Sequence, residues 1–507
     1  MRKLTVCVSA AILTAIGGAH VAGASEQLVI DTCGACHSPT DNGLSRIDGQ
    51  RKTPEGWMMT IVRMQQSHGL NVSAEDRRAI VQFLSDTQGL APAEAAPFRY
   101  ALEKDPHAQE APEEPMASMC ARCHTEARVG LQRRTPEEWS IHMDFHVGNY
   151  PTIEYQALGR DREWFKIAKD EIAPFLAETY PLDTPEWSDW QAADKNAAGG
   201  DWIILADLPH AGEAYGRLTV SGNAAPYDVS GEMITADGTS LPVSGQMNLY
   251  TGYEWRATLD IGGEIYRQVV AMSEDGSRLD GRQFLRETDS LGGRLTGVRA
   301  DQEGVILGTV PSAVPAGAAK VQVVGSGLGA LDASAGDASA NHYGAALALT
   351  TEGNGQVSFA SGGSEGSIAH YSSVDSIVVE PAFSIARVGG GSDVGPEAVP
   401  VHFNAIGMWN GADGQPGTED DIRIGQVNAE WRVDNLHDHA AHMKDASYAG
   451  DIGETGIFTP AVAGPNSERP FTTNNAGELK IVAEAMGQSA DATLIVTVQR
   501  FIDPPIR

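Results

Sequence analysis

The chain has 507 residues, 42% hydrophobic and 20% charged, with 56 Gly and 26 Pro. These proportions are globular: disorder needs far fewer apolar residues, collagen needs glycine at every third position, and at roughly 100 to 200 residues per domain the length points to about three to five domains. Acidic residues outnumber basic ones 67 to 36, a formal charge of −31, which repels phosphate and excludes a general nucleic-acid binder.

Residues 1–24 begin with Arg2 and Lys3, continue apolar from Leu4 to about Ile16, and end on small residues. That order predicts a secretory signal cleaved after Ala24, behind Ala22-Gly23-Ala24. The apolar run is shorter than the roughly 20 residues a spanning helix needs, and no later segment has one. The mature chain is therefore expected to be exported and to have no membrane span.

Of the five cysteines, Cys7 lies in the signal; the rest form Cys33-Gly34-Ala35-Cys36-His37 and Cys120-Ala121-Arg122-Cys123-His124. Both read C-x-x-C-H, the c-type haem attachment motif. Two thiols one helical turn apart can add to the two vinyl groups on one porphyrin edge, and the next histidine reaches the iron. Disulfides or a zinc site would also use these residue types. Zinc, however, does not explain why each histidine directly follows its second cysteine. Two covalent haems are expected, on Cys33, Cys36, Cys120 and Cys123, with His37 and His124 as iron ligands.

Each motif is followed by a repeat. Thr53-Pro54-Glu55-Gly56-Trp57 leads into Ile61, Met64 and His68; Thr135-Pro136-Glu137-Glu138-Trp139 leads into His142, Met143 and His146. Threonine at the N-cap and proline at the first helical position start a helix in each copy. The apolar face of that helix is expected to cover the haem and offers a methionine and a histidine each time. A second helix from Ser73 to about Thr87 closes the first unit. The end of the first ligand helix suits His68 as second axial ligand there, with Met64 as the alternative. Met143 is the candidate in the second copy and His146 its alternative; aligning Met64 with His146 keeps the opposite assignment open.

The helical dihaem cytochrome c domain is expected over 25–182, as units of about 25–100 and 101–182 joined by an Ala, Pro and Glu-rich segment. Beyond it the pattern changes to short alternating apolar runs, among them Tyr215 to Val220, Tyr227 to Ile234, Gln246 to Tyr250, Glu254 to Ile261, Ile265 to Ala271 and Arg294 to Val298. Eight such runs predict an antiparallel β-barrel over 183–302, with an open sandwich as the alternative. Shorter runs predict two immunoglobulin-like β-sandwiches, over 303–396 and 397–507. The acidic stretch Asp413 to Asp421 offers oxygen ligands to calcium without the spacing of a standard twelve-residue loop, and His437, His439 and His442 could bind a transition metal, although spaced histidines in a solvated loop usually read as polar surface. There is no dinucleotide fingerprint, P-loop, nucleophile elbow or H-E-x-x-H. Haem moves single electrons, so a two-electron oxidation needs a further redox group, expected on a partner chain.

The tandem C-x-x-C-H units with their T-P-E-x-W helices, followed by a barrel and two sandwiches, resemble the alpha subunit of quinohaemoprotein amine dehydrogenase. The stretches from Gln50 to Trp57 and from Gly464 to Phe471 add to the likeness. That resemblance implies a periplasmic heterotrimer with a β-propeller subunit and a small subunit carrying a cysteine tryptophylquinone. A primary amine would give aldehyde and ammonia at the quinone, and electrons would pass singly through the haems to a blue copper protein or a cytochrome c. No catalytic residue is then expected in this chain. The resemblance also implies one bis-His and one His/Met haem, which pairs His68 with Met143 or Met64 with His146. A stand-alone dihaem carrier and a dihaem peroxidase with an open sixth iron position are the other readings.

Overall fold

The computed structural model describes residues 26–108, 110–121, 124–154, 162–209, 211–390 and 397–498. The expected signal segment and Cys123 lie outside them. Two compact units form: one from the N-terminal region to Phe98 together with Ala111–Ala193, the other from Arg99–Glu110 together with the chain from Asp194 onward.

The first unit is mainly helical. Helix α1 spans 26–33 and is followed by a small hairpin of β1 (Pro39–Thr40) and β2 (Gly43–Leu44). Strand β3 (Gln50–Lys52) then leads into α2 (Pro54–His68), and α3 (Ala74–Gln88) packs back on it. The second half repeats the plan with β4 (Gln132–Arg134) and α4 (Pro136–Asn149), followed by a helical run whose last segment is α5 (Ala173–Thr179) and by α6 (Pro185–Ala192). As expected from sequence, Thr53 Oγ1 accepts from Gly56 N and Thr135 Oγ1 from Glu138 N, with proline inside each first turn. Ser73 caps α3 in the same way.

The two halves are joined through their basic strands. β3 and β4 pair antiparallel, Gln50 opposite Arg134, Arg51 opposite Arg133 and Lys52 opposite Gln132. Arg51 grips Glu94 with both terminal nitrogens, at 2.8 and 2.9 Å, and Arg133 Nε lies 3.2 Å from the same carboxylate. All three side chains are buried. Each half also packs a tryptophan the same way: Trp57 Nε1 donates to Gln88 O at 3.0 Å, and Trp139 Nε1 to Tyr180 O at 3.1 Å.

The second unit opens with the barrel expected from sequence. Strands β5 (Gly200–Leu208), β6 (Gly212–Ser221), β7 (Tyr227–Thr235), β8 (Ser240–Tyr250), β9 (Glu254–Ile261), β10 (Glu264–Met272), β11 (Arg278–Leu285) and β12 (Gly292–Arg299) close into one antiparallel ring. Closure leaves no unpaired edge and lets Trp202 and Trp255 meet edge to face inside the unit, 6.0 Å between ring centres. At Gly231, with φ at +155°, a side chain would collide with Arg217 O on the neighbouring strand, so only glycine fits there. The segment Arg99–Glu110 is held on this unit by buried Arg282, which donates to Glu103 O and Lys104 O at 3.0 and 2.9 Å.

Beyond the barrel the chain forms further sheets. Two four-stranded sheets, one containing Gly317–Ser326 and Gly344–Thr351, the other Gly355–Ser361 and Ser364–Tyr371, share a core of Val321, Val323, Leu347, Val357, Phe359 and Ile368. The last region has sheets of three, four and three strands around Phe403, Phe458, Leu479, Ile481 and Leu494. Its final strand Gln488–Val498 pairs parallel with Phe383–Val388. Among the described residues no helix is long and apolar enough to cross a membrane.

Burial pushes the Glu94 carboxyl up, but its bonds to Arg51, its bond from Ala91 N and the nearby Arg133 outweigh that, and the net value lies below the ordinary carboxyl range. A depressed carboxyl stabilises the fold above its unfolded value and loses that contribution as pH falls through its folded one. Glu94→Gln strands two buried guanidinium groups and should cost about 3 to 5 kcal/mol. Urea unfolding followed by helical circular dichroism checks this, and the difference from the parent should shrink in acid.

Candidate functional site

The first C-x-x-C-H motif sits at the end of α1. Gly34 N bonds to Ile30 O at 2.8 Å, and Cys36 N and His37 N both turn back to Cys33 O at 3.1 and 3.0 Å. That turn sets His37 directly behind the cysteine pair. Cys33 and Cys36 are not bonded to each other. Burial, with the neighbouring Cys36, pushes the Cys33 thiol up. In the second motif, the short helix Met116–Met119 precedes Cys120, which packs half-buried against a core of Met119, Trp139, Met143 and Trp164. His124 N bonds to Cys120 O at 3.4 Å.

Both motif histidines are oriented by the same device. His37 Nδ1 donates to Ser45 O at 2.8 Å, and His124 Nδ1 donates to Thr125 O at 2.8 Å. Such a bond fixes the tautomer, leaving the lone pair on Nε2, and is how ligating histidines are commonly held. Paired thiols next to an oriented imidazole fit a haem.

The repeat places the candidate distal residues in equivalent positions on α2 and α4. Trp57 corresponds to Trp139, Ile61 to Met143, Met64 to His146 and His68 to Tyr150. Ile61 and Met143 are both buried core residues, 5% and 3% exposed. Met64 and His146 are both half-buried, whereas His68 is exposed at the last residue of α2. His146 Nδ1 donates to His142 O at 2.8 Å, so its Nε2 also carries the lone pair. Burial lowers its pKa to about 4, and the nearby charge of His124 contributes in the same direction.

A basic cluster surrounds these helices. Lys52 Nζ lies 5.0 Å from the Trp57 ring centre, and the Arg134 guanidinium 5.4 Å from that of Trp139, a second matched pair. Arg63 lies 4.6 Å from the Phe145 ring centre, and Phe145 stacks on His142 at 5.5 Å. Burial holds Lys52 well below the ordinary amine range, reinforced by Arg134 and Arg63, and pulls Arg134 down to about 9. His142 is driven well below its usual value by burial and then by Arg134, His146, Lys52 and Arg63. Sequence reasoning passed over these cations. Their signal was the basic residue directly before each Thr-Pro-Glu, Lys52 in one copy and Arg134 in the other.

The two metal candidates weighed in the last region have local roles. Asp420 Oδ2 accepts from Ala412 N and Asp413 N, and Asp421 Oδ2 from Gly417 N and Thr418 N, so both close turns of their own loop. His437 Nδ1 caps the helix Asp438–Met443 by accepting from Ala440 N, and its Nε2 pairs with Glu478 at 2.8 Å. Among the described residues no group of three or more His, Cys, Asp or Glu is arranged to hold a metal ion.

Comparison with known proteins gives three family models along the chain. Residues 23–187 match "Quinohemoprotein amine dehydrogenase A, alpha subunit, haem binding", 195–300 match alpha subunit domain II, and 377–506 match alpha subunit domain IV. Among the curated proteins nothing matches. Solved structures give local likenesses. A redesigned β-barrel bound to DFHBI is 14% identical, covering 20% of this chain and 94% of its own, at a TM-score of 0.18. Mouse clustered PcdhgC3 EC1-3 is 12% identical, covering 44% and 76%, at 0.17. At those scores neither carries an argument. The three models account for most of the sequence, and the first lies on both C-x-x-C-H motifs: the chain belongs to the quinohemoprotein amine dehydrogenase alpha subunit family.

Proposed function

We propose that this chain is the dihaem electron-transfer subunit of a periplasmic quinohaemoprotein amine dehydrogenase. It would take electrons from a cysteine tryptophylquinone on a small partner subunit, within a heterotrimer completed by a β-propeller subunit, and deliver them to a soluble copper protein or cytochrome c. The observation that carries this reading is the duplicated site. Two C-x-x-C-H turns each hold a histidine by its Nδ1, and each precedes a helix begun by the same Thr-Pro-Glu cap. Cys33, Cys36, Cys120 and Cys123 attach the porphyrins, and His37 and His124 ligate the irons. Bound haem supplies a one-electron couple, so substrate oxidation belongs to the partner's quinone. Each helical half covers one haem; the barrel and the two regions beyond it, read as immunoglobulin-like sandwiches with boundaries near 302 and 396, serve assembly.

For the distal ligands we infer Met64 and His146 rather than His68 and Met143. Ile61 cannot bind iron, and Met143 occupies the equivalent buried position, which supports a packing role for both. Met64 and His146 share the next half-buried turn of their helices, and His146 has its Nδ1 already bonded as a ligand would. This pairing also provides the one His/Met and one bis-His haem that the family resemblance implies. A thioether raises the potential relative to a second imidazole, so the two haems would differ in potential.

Two outcomes are expected. First, mass spectrometry of the purified native assembly should report two added haems on this chain, the partner masses and a crosslinked quinone. A primary amine should reduce the haems, and phenylhydrazine should abolish that reduction. A single chain that is reducible but ignores amines would indicate a lone carrier; a high-spin ferric fraction with peroxide turnover would indicate a peroxidase. Second, His146→Ala should change the axial-ligand spectrum of one haem, while Met143→Leu should leave both spectra in place and cost less than about 1.5 kcal/mol. The reverse result would return the second ligand to Met143.

A further inference from the structure

The helical unit buries more positive charge than it pairs. Lys52, 6% exposed, donates from Nζ to the neutral Thr60 hydroxyl at 2.9 Å. Arg134, 5% exposed, donates from Nε and Nη2 to the neutral amide of Gln132, and its Nη1 lies 3.7 Å from Glu138. Glu138 is already committed to Arg46 at 2.5 Å and Gln50 at 2.9 Å. Arg63 has its Phe145 contact but no hydrogen-bond acceptor among the described residues. Besides Glu138, the groups facing the cluster from α4 are the imidazoles of His142 and His146, which bring no negative charge.

A buried cation without a partner carries a heavy desolvation penalty, and the chain has acidic residues to spare, 67 against 36 basic, yet among the described residues Glu138 is the carboxylate that faces Lys52 and Arg134. An anion from outside the polypeptide would meet the remaining charge. We propose that Lys52, Arg63 and Arg134 form an anion subsite that receives propionate carboxylates of the bound haems. This rests on the haem ligation proposed above. Each haem c brings two carboxylates that neither thioether attachment nor iron ligation uses, and the cations stand on the strands and helix that lead to the ligand positions. A guanidinium fork suits a carboxylate, and fixed positive charge beside the porphyrin favours the ferrous form.

The test uses the native complex in spectroelectrochemical titration, with haem content measured as the pyridine haemochrome. Arg134→Gln and Arg63→Gln should each lower the midpoint potential of at least one haem while leaving haem content and axial-ligand spectra as in the parent. Redox-difference infrared spectra should show a shifted carboxylate band, and Arg63→Lys, which keeps the charge, should hold the potential near the parent value. Arg63 has no hydrogen bond to lose, so its variants decide the matter even if Arg134→Gln fails to fold. Unmoved potentials and infrared bands in haem-loaded Arg63→Gln would overturn the proposal. So would a parent potential that shifts with added phosphate, which would assign the subsite to a mobile anion. A parent chain that carries no haem would overturn the functional reading itself, a distinct result.

Discussion

The helical unit depends on a three-residue antiparallel ladder between two basic strands. Gln50–Lys52 and Gln132–Arg134 can lie side by side only if their charges are met, and Glu94 and Glu138 meet part of them from either side. Each strand ends at a threonine that caps the next helix, so the same ladder aims α2 and α4 together. The two C-x-x-C-H motifs precede those helices, and the candidate distal residues lie on them. A buried salt bridge is a weak source of net stability, but it is a strong constraint on register, because any other alignment leaves a charge unpaired. Here the register makes the two halves equivalent position by position.

The second unit is built on a different constraint. A closed eight-stranded ring has no free edge, and Trp202, Trp255, Gln268 and Gln283 are buried in it. Function follows sites rather than folds. The family assignment puts the haem-binding region in the N-terminal part of the chain and domains II and IV in the β-rich part.

The haem-binding region was legible because its signal is local: each Cys-x-x-Cys-His spans one turn of backbone, and both copies lie within the haem-binding match. Helix starts at Thr53, Ser73 and Thr135 were legible for the same reason, since a cap acts within three residues. The barrel strands were legible from alternation. The distal positions are not separable by sequence, because Met64, His68, Met143 and His146 all follow the same helix start; the structure adds that Ile61 and Met143 are buried in matched cores while Met64 and His146 are half-buried. Arg99–Glu110 reads as part of the second helical unit, but Arg282, far away in sequence, takes its carbonyls and draws it onto the barrel. His437 reads as surface, and only the structure shows it capping a helix.

By itself the sequence determined which groups this protein can carry and where its helices and strands begin, because thiol spacing, caps and alternation act over a few residues. Tertiary structure alone decided which side chains share an environment: that Arg51 and Arg133 meet at one carboxylate, that Met143 is buried with Trp139 and Trp164, and that Lys52 and Arg134 are buried beside Trp57 and Trp139. Those outcomes depend on desolvation and on pairing between residues far apart in the chain, and neither is set by any short stretch of it.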